Sequence, residues 1–271
     1  MKLLITGAGF QGGYSLVKEL KRYFKEIEII GIDIEPNSAA QIYCDKFYLQ
    51  KDFEFIIALE KPDLILPATS YFIPLGVERG ILLSSGRTET NICLSKVKIY
   101  ETLKGIIPLP KYINSLLGYV SKLDKGKGGK GIEWLEGEER FIMERLSGEE
   151  IDVDVLSWKG ELLVAVCKTR ERAYGGTLIQ GEIVKRPEII KQIEKILKVI
   201  PLSYLSVFQF IGGKLLEINP RIAGTMIYTE SFNLAALAIK MAMGELKLKQ
   251  IKQYQNEVPY GKRIYKTMIN L

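Results

Sequence analysis

Histidine is absent from the 271 residues. That excludes histidine-based triads, phosphohistidine intermediates and histidine-ligated zinc. Any chemistry must run on carboxylates, lysine, arginine, tyrosine, serine, cysteine or a bound metal. Cysteine is scarce: Cys44, Cys93 and Cys167 lie far apart, without metal-ligand or disulfide spacing. Each is expected to be a small buried residue. No uninterrupted apolar run reaches membrane-spanning length. The opening MKLLITGAGF reads as a strand entering a glycine turn, not a signal peptide. A cytoplasmic protein without a membrane partner is therefore expected. No aromatic–basic motif for nucleic acid is present. The net charge of +6 suits anionic ligands such as nucleotides, and equally a solvated surface. The hydrophobic share of 47% is ample for a core, and the length allows one large or two to three small domains.

The N-terminal pattern alternates strand and helix. KLLIT (2–6), IEIIGID (27–33), a short strand at 46–49 and DLILP (63–67) are separated by an amphipathic stretch to about Arg22 and a helix at 53–60. This implies a parallel, doubly wound sheet, an α/β unit covering residues 1–88. Gly7, Gly9 and Gly12 satisfy GxGxxG, and Asp33 follows. Three readings stand: tight strand-to-helix packing, a site for a substrate carboxylate at a helix N-terminus, or a dinucleotide site.

The most informative stretch is LLEINPR, residues 215–221. In a strand, residues i and i+2 share a face, so Glu217 and Asn219 would bring three oxygens together just before Arg221. Hard oxygen ligands beside a guanidinium suit Mg²⁺ and phosphate. The same stretch could be an edge strand ending at Pro220. Gln209 lies in VFQF, eight residues before Glu217, with Gly212-Gly213 between as in a hairpin. Pairing would set Gln209 near Glu217 as a neutral ligand.

VFQF and LLEINPR resemble the metal-binding strands of the ATP-grasp superfamily, in particular carbamoyl-phosphate synthetase large subunits and related carboxylate–amine ligases. The resemblance implies an ATP-grasp fold after the α/β unit. It gives Gln209, Glu217 and Asn219 as ligands for two Mg²⁺ ions on ATP, Mn²⁺ being an alternative, and places Arg221 near the transferred phosphate. Further stations follow in family order. Lys96, with Lys98 as its neighbour, matches a lysine that reaches phosphates. Lys122 ends a short strand before the glycine-rich loop 124–131, whose Gly126, Gly128, Gly129 and Gly131 let backbone N–H groups nest a phosphate. Leu123 stands where the family usually has proline. FIMERLSGEE (141–150) resembles the hinge: Glu144 beneath adenine, the main chain of Arg145 and Leu146 on the purine edge, and Glu150 on the ribose. Lys168 and Arg170 match basic groups near phosphate or acceptor. Asp152 and Asp154 share a strand face; a metal site is one reading of the pair, and a solvent-facing edge is the one expected. The expected divisions are 1–88, a linker with a small lid over 89–150, and a C-terminal α+β part with the metal site over 151–271. The tail beyond 245 carries no signal.

Only eleven residues separate Pro110 from Lys122, and twelve separate Gly131 from Glu144. The lid is thus expected to be a cut-down sheet, with water exclusion left to a homodimer mate, a partner subunit or substrate-driven ordering. The resemblance implies ATP-dependent joining of a small carboxylate to an amine, amino acids among them, through an acyl phosphate. Two other readings stand beside it. A short-chain dehydrogenase or epimerase using NAD(P) would draw on GAGFQG, Asp33 and Tyr100-x-x-x-Lys104 with Ser84 and Ser85. A non-catalytic nucleotide-binding protein would keep the fold alone.

Overall fold

The computed structural model describes residues 1–9, 12–49, 52–69, 81–113, 120–122, 132–134, 142–174, 177–223, 226 and 232–265. Its first unit holds β1 (Lys2–Thr6), α1 (Gly13–Tyr23), β2 (Glu28–Asp33), β3 (Lys46–Leu49), α2 (Phe53–Glu60) and β4 (Leu64–Pro67). The four strands form a parallel sheet in the order β3-β2-β1-β4, as the alternating pattern implies. Leu16, Val17 and Leu20 are the buried stripe of α1, and Asp52 caps α2 by accepting from Phe55 N at 2.9 Å.

Two helices, α3 (Arg87–Cys93) and α4 (Lys96–Leu103), lead into four short strands: β5 (Tyr112–Ile113), β6 (Val120–Lys122), β7 (Ile132–Trp134) and β8 (Ile142–Met143). β5 pairs with β8, and β6 with β7, in two separate antiparallel ribbons. The large sheet comes from β9 (Glu150–Trp158), β10 (Glu161–Thr169), β11 (Arg172–Tyr174), β12 (Thr177–Val184), β13 (Tyr204–Ile211) and β14 (Lys214–Asn219), with α5 (Pro187–Val199) interposed. Its order is β11-β12-β10-β9-β13-β14. The chain closes with α6 (Leu234–Ala242), α7 (Leu248–Gln253) and β15 (Arg263–Tyr265). β15 pairs with β12, so the tail that carries no sequence signal supplies a seventh strand. Among the described residues, no helix is long and apolar enough to cross a membrane.

Alternation along the central strands sorts the large sheet into two faces. Ile151, Val153, Phe208 and Phe210 face α5, which contributes Ile189, Ile193 and Ile196, and α4, which contributes Ile99 and Leu103. On the opposite face Leu156, Val164, Leu205 and Val207 join a core shared with Leu234 and Ala238 of α6 and with Leu3, Ile5 and Leu16 of the first unit. That opposite face turns polar further along the same strands. Asp152 and Asp154 lie there, 8% and 0% exposed. They are not at a solvent-facing edge. The IDVDVL pattern reads as amphipathic, but β9 lies inside the sheet between β10 and β13, and the face that carries both acids is buried.

Candidate nucleotide and metal site

Register builds the site. The β13–β14 hairpin turns at Gly212 and Gly213, whose φ values of +55° and +77° require the left-handed region. Two such residues in succession make the turn that suits the strand twist. The hairpin pairs Gln209 with Glu217 and Val207 with Asn219. On the other side of β13, Gln209 stands opposite Asp152, and Asp152 stands opposite Lys168. Glu217, Gln209, Asp152 and Lys168 therefore form one cross-strand row on one face. Asn219 and Asp154 lie on that face two residues along their own strands, at one end of the row. Glu150, which precedes Asp152 by two, and Arg170, which follows Lys168 by two, flank its other end.

At the β14 end, Asn219 Nδ2 donates to Glu217 Oε1 at 2.8 Å, and Lys96 Nζ reaches Glu217 Oε2 at 3.1 Å. Burial opposes ionisation of Glu217, but the Asn219 hydrogen bond and the Lys96 charge outweigh it and hold the carboxyl below its usual range. Burial lowers the guanidinium of Arg221, with Glu217 pulling the other way. Gln209 Nε2 donates to Glu150 Oε1. Among the described residues, no cluster of three or more acid or cysteine side chains could hold a metal. The donor set is one carboxylate with two amides. That set fits Mg²⁺, which is usually bound through one or two carboxylates and its substrate's phosphates, not by an all-protein cage. The ammonium of Lys96 is paired with Glu217.

The middle of the row is a ladder of acids on β9 facing bases on β10. Glu150 pairs with Arg170 at 2.9 Å, Asp152 lies 3.7 Å from Arg170, and Asp154 pairs with Lys168 at 2.5 Å. Lys168 and Asp154 are both fully buried. Asp152 is pushed up to about 6 by burial. Lys168 and Arg170 oppose the rise, and Asp154 and Glu150 add to it. Asp152 and Asp154 thus belong to the polar face that carries Glu217 and Gln209, not to a solvent-facing edge. The available signal was acids at 150, 152 and 154 facing bases at 168 and 170 about the Lys159-Gly160 turn.

Toward the hinge, Glu144 N donates to Lys111 O at 2.9 Å, and Lys111 N donates back to Glu144 Oε1 at 3.1 Å. Lys214 pairs with Glu144, a contact the sequence reading does not foresee. These partners hold the Glu144 carboxyl below its usual range. Arg145 is exposed and Leu146 half-buried. The main chain of neither hydrogen-bonds to another described residue. Glu150 faces Gln209 and Arg170 within the row. Lys122 pairs with Ile132 in the β6–β7 ribbon, while Gly126, Gly128, Gly129 and Gly131 lie outside the described residues. Lys98 is exposed on α4, where its N–H donates to Ser95 Oγ at 3.3 Å. Lys96, not Lys98, reaches Glu217 on β14.

The end of LLEINPR is clipped to the first unit. Ile222 N donates to Pro67 O at 3.3 Å, and Ser84 Oγ donates to Pro220 O at 3.2 Å. Arg221 therefore stands by the carboxyl end of β4, the side of an open parallel sheet where ligands bind. The residues available to a dehydrogenase are used structurally. Asp33 accepts from Gly9 N at 2.6 Å and from Ile34 N and Glu35 N at 2.7 and 3.0 Å. It fastens the glycine turn and does not present its carboxylate to a ribose. Tyr100 is fully buried and donates to the carbonyls of Leu215 and Leu216, at 3.2 and 3.0 Å. Ser85 Oγ donates to Ser203 O at 3.1 Å. No Ser–Tyr–Lys proton relay is assembled.

Solved structures share this fold. The N5-carboxyaminoimidazole synthetase of Staphylococcus aureus superposes with a TM-score of 0.65 at 15% identity, over 90% of this chain and 77% of that one. The Thermotoga maritima N5-carboxyaminoimidazole ribonucleotide synthetase gives 0.60 at 18%, over 96% and 77%. The biotin carboxylase subunit of a pyruvate carboxylase gives 0.64 at 17%, over 97% and 73%. The Staphylococcus aureus enzyme is also known complexed with ADP. No curated protein matches in sequence. The likeness to these structures is one of fold. In sequence, residues 136–264 match the family described as ATP-grasp in the biosynthetic pathway with Ter operon.

Proposed function

We propose that this protein is an ATP-dependent carboxylate–amine ligase that works through an acyl phosphate, with a small carboxylate and an amine, amino acids among them, as substrates. The observation that carries the proposal is the in-register row from Glu217 to Lys168. It gives one sheet face both the oxygen donors for a metal and the cations for a phosphate. In this reading Gln209, Glu217 and Asn219 hold Mg²⁺ or Mn²⁺. A metal held there would supply charge neutralisation to the nucleotide's phosphates. Lys96, Lys122 and the glycine loop bind phosphates, while Glu144, Glu150 and the main chain of Arg145 and Leu146 bind the nucleoside.

The substrate carboxylate attacks the γ-phosphorus and breaks its bond to the β–γ bridging oxygen, which leaves with ADP. The amine then attacks the acyl carbon, expels inorganic phosphate and loses a proton to give the amide. Arg221, beside the carboxyl end of the first unit's sheet, lies in this reading near the transferred phosphate. Lys168 and Arg170, each already paired with acids of β9, are the basic groups assigned to the phosphate or acceptor. This work is positioning and electrostatics, which needs no histidine.

Hydroxylamine trapping tests the reading. Panels of amino acids and simple carboxylates, with bicarbonate included because the structural neighbours' names include carboxylases, are incubated with Mg-ATP. The expected product is a hydroxamate formed with stoichiometric ADP. ADP release independent of every carboxylate, or NADPH binding with none for ATP, would refute it.

A further inference from the structure

Lys96 is the first residue of α4, which Ser95 caps by accepting from Lys98 N. Tyr100 lies one turn further along the same helix face. Its buried hydroxyl donates to the carbonyls of Leu215 and Leu216. α4 is thereby held along β14, just ahead of Glu217, and the lysine stem reaches over the carboxylate. Both carboxylate oxygens are engaged by donors: Oε1 by Asn219 and Oε2 by Lys96. The lysine side chain is 45% exposed and the glutamate 31%. A pair open to solvent to that degree is cheap to separate, so the contact can act as a latch.

We infer that Lys96 is a two-position side chain: without nucleotide its ammonium occupies Glu217 in place of the metal, and metal loads together with nucleotide, whose phosphates draw Lys96 away. The inference rests on the assignment of Glu217 as a metal ligand. A free divalent cation approaching Glu217 must displace the ammonium and then sit beside it, two like-signed charges around one carboxylate. A metal–nucleotide complex brings its own anions, which give the displaced ammonium a new partner. Each ligand then favours the other by the same factor, because coupling between two sites is reciprocal. The latch also keeps the site from filling with free metal ahead of the nucleotide.

Mn²⁺ binding to the full chain, followed by electron paramagnetic resonance with and without ADP, tests this. Removing one unit charge about 4 Å from a divalent ion in a watery setting should tighten nucleotide-free Mn²⁺ binding about thirtyfold in Lys96→Met. The same variant should bind Mn²⁺–ADP more weakly than the parent, an inversion that a merely structural role for Lys96 would not give. Lys96→Arg keeps the charge and should follow the parent in nucleotide-free Mn²⁺ affinity. Unchanged or weaker nucleotide-free Mn²⁺ binding in Lys96→Met overturns the latch. Adding Glu217→Gln to Lys96→Met separates the two ideas. If Mn²⁺ binding is then lost, Glu217 holds the metal and only the latch is at stake. If it is unchanged, the metal assignment fails and takes the latch with it.

Discussion

Lys168 Nζ lies 2.5 Å from Asp154 Oδ2, and neither side chain has any exposed surface. A buried pair is costly to leave half-made: removing one partner typically costs about 3–5 kcal/mol, whereas replacing both with apolar groups can be neutral. Lys168→Met and Asp154→Asn should each lower the urea midpoint by a corresponding amount. A Lys168→Met/Asp154→Leu double variant should recover most of the loss. Equilibrium denaturation decides, and additive losses in the double variant would show that the two side chains do not act as a pair.

Asp152 adds a pH dependence. Its carboxyl has an ordinary value of 3.8 and sits at about 6 in the fold, chiefly because of burial. Folding therefore favours the protonated form. The penalty for ionised Asp152 is absent below about pH 4 and complete above about pH 6, so stability falls as pH rises through that window. Two pKa units correspond to about 3 kcal/mol. Asp152→Asn should lose this slope, gaining on the parent by up to that amount between pH 4 and pH 7. Parallel urea curves at the two pH values measure it, and an unchanged difference between the proteins would contradict it.

Glu217→Gln preserves shape and removes the only carboxylate among the assigned metal ligands. Charge stabilisation by a bound metal is worth several kcal/mol in the transition state, so turnover should fall at least about 100-fold. The circular dichroism spectrum and melting temperature should stay close to the parent, because Glu217 is partly exposed and its pair with Lys96 is weak. Normal ADP release in this variant would remove Glu217 from the site.

The three thiols should be inert in the folded protein. Burial pushes Cys44, Cys93 and Cys167 each up to about 12; Asp45 adds to the rise at Cys44, Glu89 at Cys93 and Glu188 at Cys167. The thiolate is the reacting species, so iodoacetamide at pH 8 should label almost none of them natively and all three in denaturant. Mass spectrometry of the two samples counts the adducts, and rapid native labelling of any one would contradict its burial.

Legibility in the sequence followed locality. Parallel strands separated by helices write themselves as alternating apolar runs, so β1 to β4 and α2 stand close to where the pattern puts them. The Gln209–Glu217 pairing was readable because two glycines fix a short hairpin and a short hairpin fixes register. Asp152 and Asp154 were misplaced because alternation tells which residues share a face, not whether that face meets water or another layer. Lys96 on Glu217 joins residues 121 apart, and only a family resemblance suggested that this lysine mattered. Tyr100 and Ser84 were drawn into a different chemistry because a motif names hydroxyls without naming the carbonyls they bind. β15 was missed because a three-residue edge strand has no periodicity to detect.

The core that joins Leu3, Ile5 and Leu16 to Leu205, Val207 and α6 also bears on how the protein can move. Walls that share one apolar interior cannot swing apart as hinged jaws without exposing it to water. The bed on which Glu217, Asp152 and Lys168 lie is therefore an anvil, fixed to the first unit by the core beneath it.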